Sequence, residues 1–420
     1  MGALLLGDYL GALKEILLPY IKDNFPKQTI LLDQLKRNTN VQFMNDEFIA
    51  PVWTNRHGGV AALADDSNSI TTARGRSVSR GTVPVEIVYG GFDMSELVMD
   101  ASTAQGAVEQ SLTAQTKTLR TDFSRQINRM MYSDGIGVVS MVRATGGSVG
   151  TGTIAVEMPT ASLDDARSID WYGTVNGDIS PTKYFAENQI IGVGTGGAAD
   201  GTITSVTGTS IVSGAPTAIV TAANDSIYIQ DGSGEGAGTS EVLGLRAALS
   251  STTGTSTYAG LARTITGWLP QFGSASEALT ERRMRDRYLR AREFSEQRDR
   301  FAIFLNISLY NKYGELLTAM RREVNETDLL GGWTGLSFAA GAGRVGVFLD
   351  YDVPDGEVLI VNLDSWTICQ VSDMKWVSGG DGQPLLRLQN TITHQAVMRW
   401  FVNMICLSPG ANGRETQKQD

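Results

Sequence analysis

Histidine and cysteine are almost missing from this 420-residue chain, which holds only His57, His394, Cys369 and Cys406 of those two types. Two cysteines cannot build a disulfide framework. A structural zinc site would need all four residues in one place, without a paired spacing such as CxxC to bring them there. Each cysteine sits in an apolar run, SWTICQV or NMICLSP, which marks a small buried hydrophobe and not a reactive thiol. Long apolar runs are also missing, since no stretch reaches the roughly 20 residues that cross a bilayer. The opening MGALLLGDYLGALKEILLPYI lacks the basic start and the cleavage site of a secretory signal, and Asp8, Lys14 and Glu15 interrupt it. It is expected to stay on a soluble protein made in a cytoplasm, with no membrane partner.

Basic charge is scarce where a nucleic-acid reader would need it. Net charge is −10, and Ser133 to Gly260 carries twelve acids against four bases, or −8. Such a surface repels polyanions, whereas sequence-reading proteins need a basic face that neutralises phosphates. Any contact with DNA is expected to be non-specific proximity.

What is there suffices for a folded chain of more than one unit. Apolar residues make up 42% and charged residues 19%, and single cores rarely grow beyond about 250 to 300 residues. Forty-seven glycines call for many turns and open loops. Leu10, Leu13, Ile16, Leu17, Tyr20 and Ile21 form one helical stripe. After Pro26, TILLDQLKRN continues as an arm with more apolar residues than it can bury on itself, so it must pack on something else. Two extended runs, FIAPVWT and VPVEIVYGGF, flank the polar, Gly-containing excursion RHGGVAALADDSNSITTARGRSVSRGT. A loop of that length without its own core points to function or to completion by a neighbour.

Ala101 to Asp134 is the strongest helix, with Val108, Leu112, Leu119, Phe123, Ile127 and Met130 or Met131 on one stripe and Gly135 as its cap. At 1.5 Å per residue it is roughly 50 Å long, a spine more than a bundle member. From Ile136 to Gln230 the chain turns to Gly, Thr, Ser, Val and Ile in short candidate strands, an acidic inserted β-domain. A Gly/Ser linker and the short helix EVLGLRAAL lead to a charged helix, Glu281 to Arg300, with eight arginines and five acids. Solvated i,i+4 ion pairs are the simpler reading of that helix; an intersubunit or DNA-facing surface is the sharper one. Alternating strands and helices around the turn VPDG mark a compact α+β unit, and the run PLLRLQNTITHQAVMRWFVNMICLS supplies two strands that return to an earlier element.

Chemistry motifs fail on context. Gly146 to Gly150 matches GxSxG around Ser148, but a Gly-rich turn follows where a nucleophile elbow needs a helix. Gly192, Gly194 and Gly197 match GxGxxG, yet a strand-like run follows instead of the helix N-terminus that would hold a pyrophosphate. Asp164 with Asp165, and Asp350 with Asp352, are expected to be solvated acids with no converging cation. No catalytic, cofactor or metal residue is assigned.

Several strings, in their order, resemble the major capsid protein of tailed bacteriophages, the Hong Kong 97 type. LKEILLPYIKDNFPKQTILLDQLKRN is similar to that family's N-arm, and FIAPVWTNRHGGVAAL with VPVEIVYGGFDMSELVMDAS to its extended loop. RQINRMMYSDGIGVV resembles the end of its spine helix; GLRAAL, TYAGLAR, LLGGWTGLSF and FLDYDVPDGEVLIVNLDSW resemble its axial-domain passage. The likeness spans nearly the whole chain except roughly 145–225.

It implies an α+β capsid fold: arm 1–41, extended loop with flanking strands 42–100, spine helix 101–135, inserted β-domain 136–230, linker and short helix 231–257, axial domain 258–378, return strands 379–410 and tail 411–420. It implies a non-enzymatic subunit forming hexamers and pentamers of an icosahedral or prolate head around double-stranded DNA. A portal protein, a separate scaffolding protein and a decoration protein would be its partners. Assembly contacts would fall on Trp53, Arg56, Gly58, Gly59, Arg74, Arg76 and Arg80 of the loop, and on Arg282 and Arg285. Some family members cross-link a loop lysine to an asparagine; Trp53 to Glu86 contains no lysine, so no covalent mesh is expected. The alternatives are a shell protein of an encapsulin-like nanocompartment and a hydrolase using Ser148.

Overall fold

The computed structural model describes residues 30–38, 42–55, 75–96, 107–135, 137–142, 152–157, 184–187, 189–193, 201–206, 210–213, 226–230, 241–250, 257–265, 267–275, 277–296, 298–319, 326–328, 334–339, 344–354, 356–378, 385–387, 393–416 and 418–419. The helical stripe expected at Leu10 to Ile21, and the GxSxG match at Ser148, lie outside the described residues.

A six-stranded sheet is organised by Thr393–Cys406, a strand of 14 residues. Its even-numbered side chains from His394 to Trp400 are buried while Thr393, Gln395, Val397, Arg399 and Phe401 are half-buried, the period-two signature of a sheet covered on one face. Glu86–Ser95 runs antiparallel along it, and Trp366–Gln370, Lys375–Trp376, Leu385–Arg387 and, one strand further out, Lys36–Asn38 complete the sheet. The covering element is the helix Ala107–Tyr132, whose Phe123, Ile127 and Met131 are buried in the same core as Trp400, Val402 and Met404. Gly135 follows that helix at φ +86, the left-handed conformation expected of its cap.

A second sheet has seven strands in the order Gln271–Gly273, Gly413–Glu415, Val358–Asn362, Phe301–Leu305, Arg344–Leu349, Thr334–Ala339, Glu326–Asp328. FAIFL and VLIVN are buried at every residue, as strands covered on both faces must be. Ile303, Leu305 and Ile360 face a core with Met284, Tyr288, Leu309 and Tyr313 of the helices Glu281–Glu293 and Ile307–Ala319. The alternate residues Ala302, Phe304, Leu359 and Val361 belong to the large core beneath the long helix. One sheet thus welds two cores.

Between Val138 and Gln230 six strands close into a barrel, and every element described there is a strand.

Three expectations change. The half-arm TILLDQLKRN does not wait for a neighbour: Ile30, Leu31, Leu32 and Leu35 are buried in the chain's own core, because the short helix Ile30–Gln34 settles beside the long helix. The charged helix ends at Glu293, where Phe294 and Ser295 turn back onto Ala291 and Arg292, so Arg298 and Arg300 leave its face. The tail expected at 411–420 holds paired strands among its described residues. Gly413–Glu415 lies between two strands of the seven-stranded sheet, and Lys418–Gln419 pairs with Glu277–Ala278.

Candidate assembly surfaces and a buried carboxylate joint

Gln42–Met44, Glu47–Trp53 and Val78–Pro84 form a three-stranded ribbon. Asn45 and Asp46, at φ 54 and 60, make its first turn, residue types that tolerate the left-handed region such a hairpin requires. Phe48, Ala50 and Val52 point inward, leaving the alternate residues outside. The run expected as one strand, VPVEIVYGGF, changes sheets at Val85: Val83 pairs with Phe48 of the ribbon, whereas Glu86 pairs with Val402 of the large sheet.

The ribbon exposes large apolar side chains: Phe43 at 49%, Met44 at 53%, Trp53 at 57% and Val78 at 54%. Trp53 and Val78 are opposite one another, at the ribbon's far end. There the Arg76 guanidinium lies 4.7 Å from the centre of the Trp53 ring, a cation–π contact. Ser77 donates its backbone N–H to Asn55 Oδ1 at 2.6 Å, and its hydroxyl meets Thr54 Oγ1 at 3.0 Å, a polar clasp where the excursion leaves the ribbon. Arg80 is exposed opposite Pro51. The structure therefore brings Trp53 and Arg76 into contact and sets Arg80 on the same ribbon; Arg56, Gly58, Gly59 and Arg74 lie outside the described residues.

Arg282 and Arg285 lie on the solvent face of the charged helix, away from Met284, Tyr288 and Ala291. Thr280 caps its start by accepting from the Arg283 N–H. Arg282 faces Asp286 at 3.9 Å and Arg285 faces Glu281 at 3.4 Å, the i,i+4 pairs of the simpler reading. Arg287 instead reaches Glu415 of the C-terminal strand at 2.5 Å and ties helix to sheet.

The carboxylates expected in solvent, Asp350 and Asp352, are buried, and this corrects the sequence reading. Asp350 follows the strand Arg344–Leu349, and its N–H donates to Leu305 O at 3.0 Å, which draws the turn under the long helix. Tyr132 donates its hydroxyl to Asp350 Oδ2 at 2.9 Å, and Asn128 Nδ2 reaches Asp352 Oδ2 at 2.7 Å. Tyr184, from the segment that joins two barrel strands, donates to Asp352 Oδ1. Burial, and then the neighbouring Asp352, push the Asp350 carboxyl up to about 6. Tyr132 is pushed well above the ordinary phenol range, first by burial and then by the carboxylates, so it remains a donor.

Sequence reasoning missed a set of buried arginines. Glu357 accepts from Arg414 Nη2 at 2.5 Å and lies 3.4 Å from Arg246 Nε, with all three side chains buried. Arg129 pairs with Glu241, and its guanidinium is 5.8 Å from the Tyr184 ring. Their carboxylate partners lie 57 to 112 positions away in the chain, so no local pattern could flag them.

Cys369 and Cys406 are buried free thiols, both pushed up to about 12 by burial, in line with the inert reading. Gly192 of the GxGxxG match sits inside a strand, paired with Tyr228. Among the described residues, no cluster of three or more His, Cys, Asp and Glu side chains is placed to hold a metal ion, and no helix is long and apolar enough to cross a membrane.

No family model and no curated protein sequence matches the chain. Solved structures do. The cyanophage A-1(L) capsid asymmetric unit aligns with a TM-score of 0.50 at 12% identity, covering 92% of this chain and 91% of that one. The capsid of the native GTA particle aligns at 0.45 with 10% identity over 94% and 91%, and Gordonia phage Cozz at 0.43 with 10% identity over 93% and 86%. The chain has the fold of a tailed-phage capsid subunit, of α+β class.

Proposed function

We propose that the chain is a major capsid protein, a structural and non-enzymatic subunit that assembles with copies of itself into the head of a tailed phage. The observation that carries this reading is the end-to-end alignment with the cyanophage A-1(L) capsid subunit, 92% of one chain on 91% of the other. The exposed apolar ribbon supports it, because side chains such as Trp53 and Met44 gain about 25 cal/mol for each Å² that a neighbouring copy covers. Under this reading the copies form hexamers and pentamers of an icosahedral or prolate shell around double-stranded DNA. The six-stranded sheet with its helix is the peripheral domain and the seven-stranded sheet the axial domain. Trp53, Arg76 and Arg80, with Arg56, Gly58, Gly59 and Arg74 of the excursion, are the loop's contacts to a neighbour, and Arg282 and Arg285 those of the axial region.

A portal protein, a separate scaffolding protein and a decoration protein complete the proposed set of partners. Cohesion is non-covalent, as the lysine-free segment requires. Negative-stain electron microscopy of the purified protein, coexpressed with its scaffold, tests the proposal. Closed, uniform particles are expected, with packaged DNA in virions; particles filled with protein cargo would instead identify a nanocompartment shell, and a stable monomer would end both readings.

A further inference from the structure

The long helix covers one face of the six-stranded sheet. A Cβ added at Gly90 would lie 3.0 Å from Phe123 and 3.2 Å from Leu119, and Val88 and Met94 are buried on that side, so the odd-numbered residues of Glu86–Ser95 point the other way. Residues directly opposite one another share a face, and the register lays out this second face in rows. Ile87 stands opposite Phe401; Val371, just past the partner of Val402, donates its N–H to the Phe401 carbonyl at 3.2 Å and extends the row. Arg399 and Lys375 stand opposite one another in the next row, and Val397 follows in the row after that. Ile87 is 59% exposed and Val371 47%. An antiparallel sheet with one wet face ordinarily turns polar residues outward. This one turns out large apolar side chains on either side of two cations, the composition of a surface that another body covers.

Those cations are unmatched. Lys375 is exposed, the Arg399 guanidinium lies 5.1 Å from the centre of the Phe401 ring, and its buried Nε has no hydrogen-bond partner. Among the described residues neither is paired with a carboxylate. The complementary chemistry stands at the ribbon's first turn, where Phe43, Met44, Asp46 and Glu47 are all exposed: two apolar side chains beside two carboxylates, neither of them paired with a cation among the described residues. Within one copy the two surfaces do not meet. The Asp46 carbonyl accepts from the Val85 N–H at 3.0 Å, and four residues of extended strand, about 13 Å, separate Val85 from Tyr89, the partner of Arg399.

We propose that the turn Phe43–Glu47 of one copy docks on the open sheet face of a second copy, with Phe43 and Met44 against Ile87, Phe401 and Val371, and the Asp46 and Glu47 carboxylates against Lys375 and Arg399. The proposal rests on the reading of the chain as a subunit that assembles with itself, and it names the two faces that meet. The apolar contacts give the interface its affinity, and the charges set its register and exclude wrong pairings. Each copy carries both halves, so the contact can repeat head to tail around a ring.

Sedimentation velocity of the full chain over a concentration series tests this, with circular dichroism confirming that each variant is folded. Lys375→Glu and Glu47→Lys each set like charges against one another and are expected to weaken self-association about ten-fold at low salt. Combining the two substitutions restores the opposition of charge and is expected to bring association back to within about three-fold of the wild type. Ile87→Ser is expected to weaken association at low and high salt alike, whereas the single charge variants lose their effect as salt rises. Single charge variants that associate as the wild type does, or a double variant no better than the weaker single, would overturn this contact while leaving self-assembly standing. A wild-type chain that stays monomeric throughout the series would overturn both.

Discussion

At the scale of single residues, the most constrained position among those described is Gly244. A Cβ placed there would meet the carbonyl oxygens of Met130 and Ser133 at 2.5 Å and that of Met131 at 2.6 Å, all backbone and none able to swing away. The approach lets the last turn of the long helix rest on the start of the short helix Leu245–Ala248. Gly244→Ala is expected to destabilise by about 1–3 kcal/mol or more, as overpacking does, read as a lower melting temperature by circular dichroism; an unchanged melting curve would show that the close approach is not needed. Glu357 is the second sensitive position, since it balances the Arg414 guanidinium and lies beside Arg246. Glu357→Gln takes the carboxylate from the buried Arg414 guanidinium and is expected to cost about 3–5 kcal/mol, measured by urea unfolding. Glu357→Gln matching the wild type would mean that the triad contributes little.

At the scale of elements, the ribbon and the C-terminal strand make opposite demands. The ribbon's outer residues touch little of their own chain, so replacing Trp53 and Phe43 together by serine is expected to leave circular dichroism intact while lowering the assembled fraction in sedimentation. Misfolding of that double variant would assign the two rings to the chain's own core. Gly413–Glu415, by contrast, fills the gap between Gln271–Gly273 and Val358–Asn362. A chain stopped after Asn412 is expected to lose the cooperative unfolding of the seven-stranded sheet, because each neighbour would face an unpaired edge. A normal melting curve for the shortened chain would show that the strand is dispensable.

How far the sequence foretells these elements depends on how local their signals are. The long helix, the strand FAIFL, the paired return strands and the described strands between Val138 and Gln230 were legible because each carries its own period or turn chemistry. The sheet change at Val85, the entry of Gly413–Glu415 and the burial of Ile30 to Leu35 were not, since each is decided by a distant partner: Val402, Leu359 and the long helix respectively. Among the expected contact residues that are described, Trp53 and Arg76 touch. Asp350 and Asp352 read as solvated acids because the turn they occupy is polar by composition. Only the fold places Asn128, Tyr132 and Tyr184 over them.

At the scale of the whole molecule, the chain covers most of its own cores yet leaves large apolar side chains of the ribbon exposed. The two cores share the seven-stranded sheet, Tyr184 ties a segment between barrel strands to Asp352, and Gly413–Glu415 fills the sheet, so the body is expected to act as one unit. Phe43, Met44, Trp53 and Val78 stand outside that closure, and under the proposed function a neighbouring copy covers them. The most direct measurement is a cryo-electron map of purified particles. The account predicts a closed shell of hexamers and pentamers in which the rings of Phe43 and Trp53 lie against an adjacent subunit. Monodisperse monomers at high concentration, or a shell in which that ribbon faces only solvent, would contradict it.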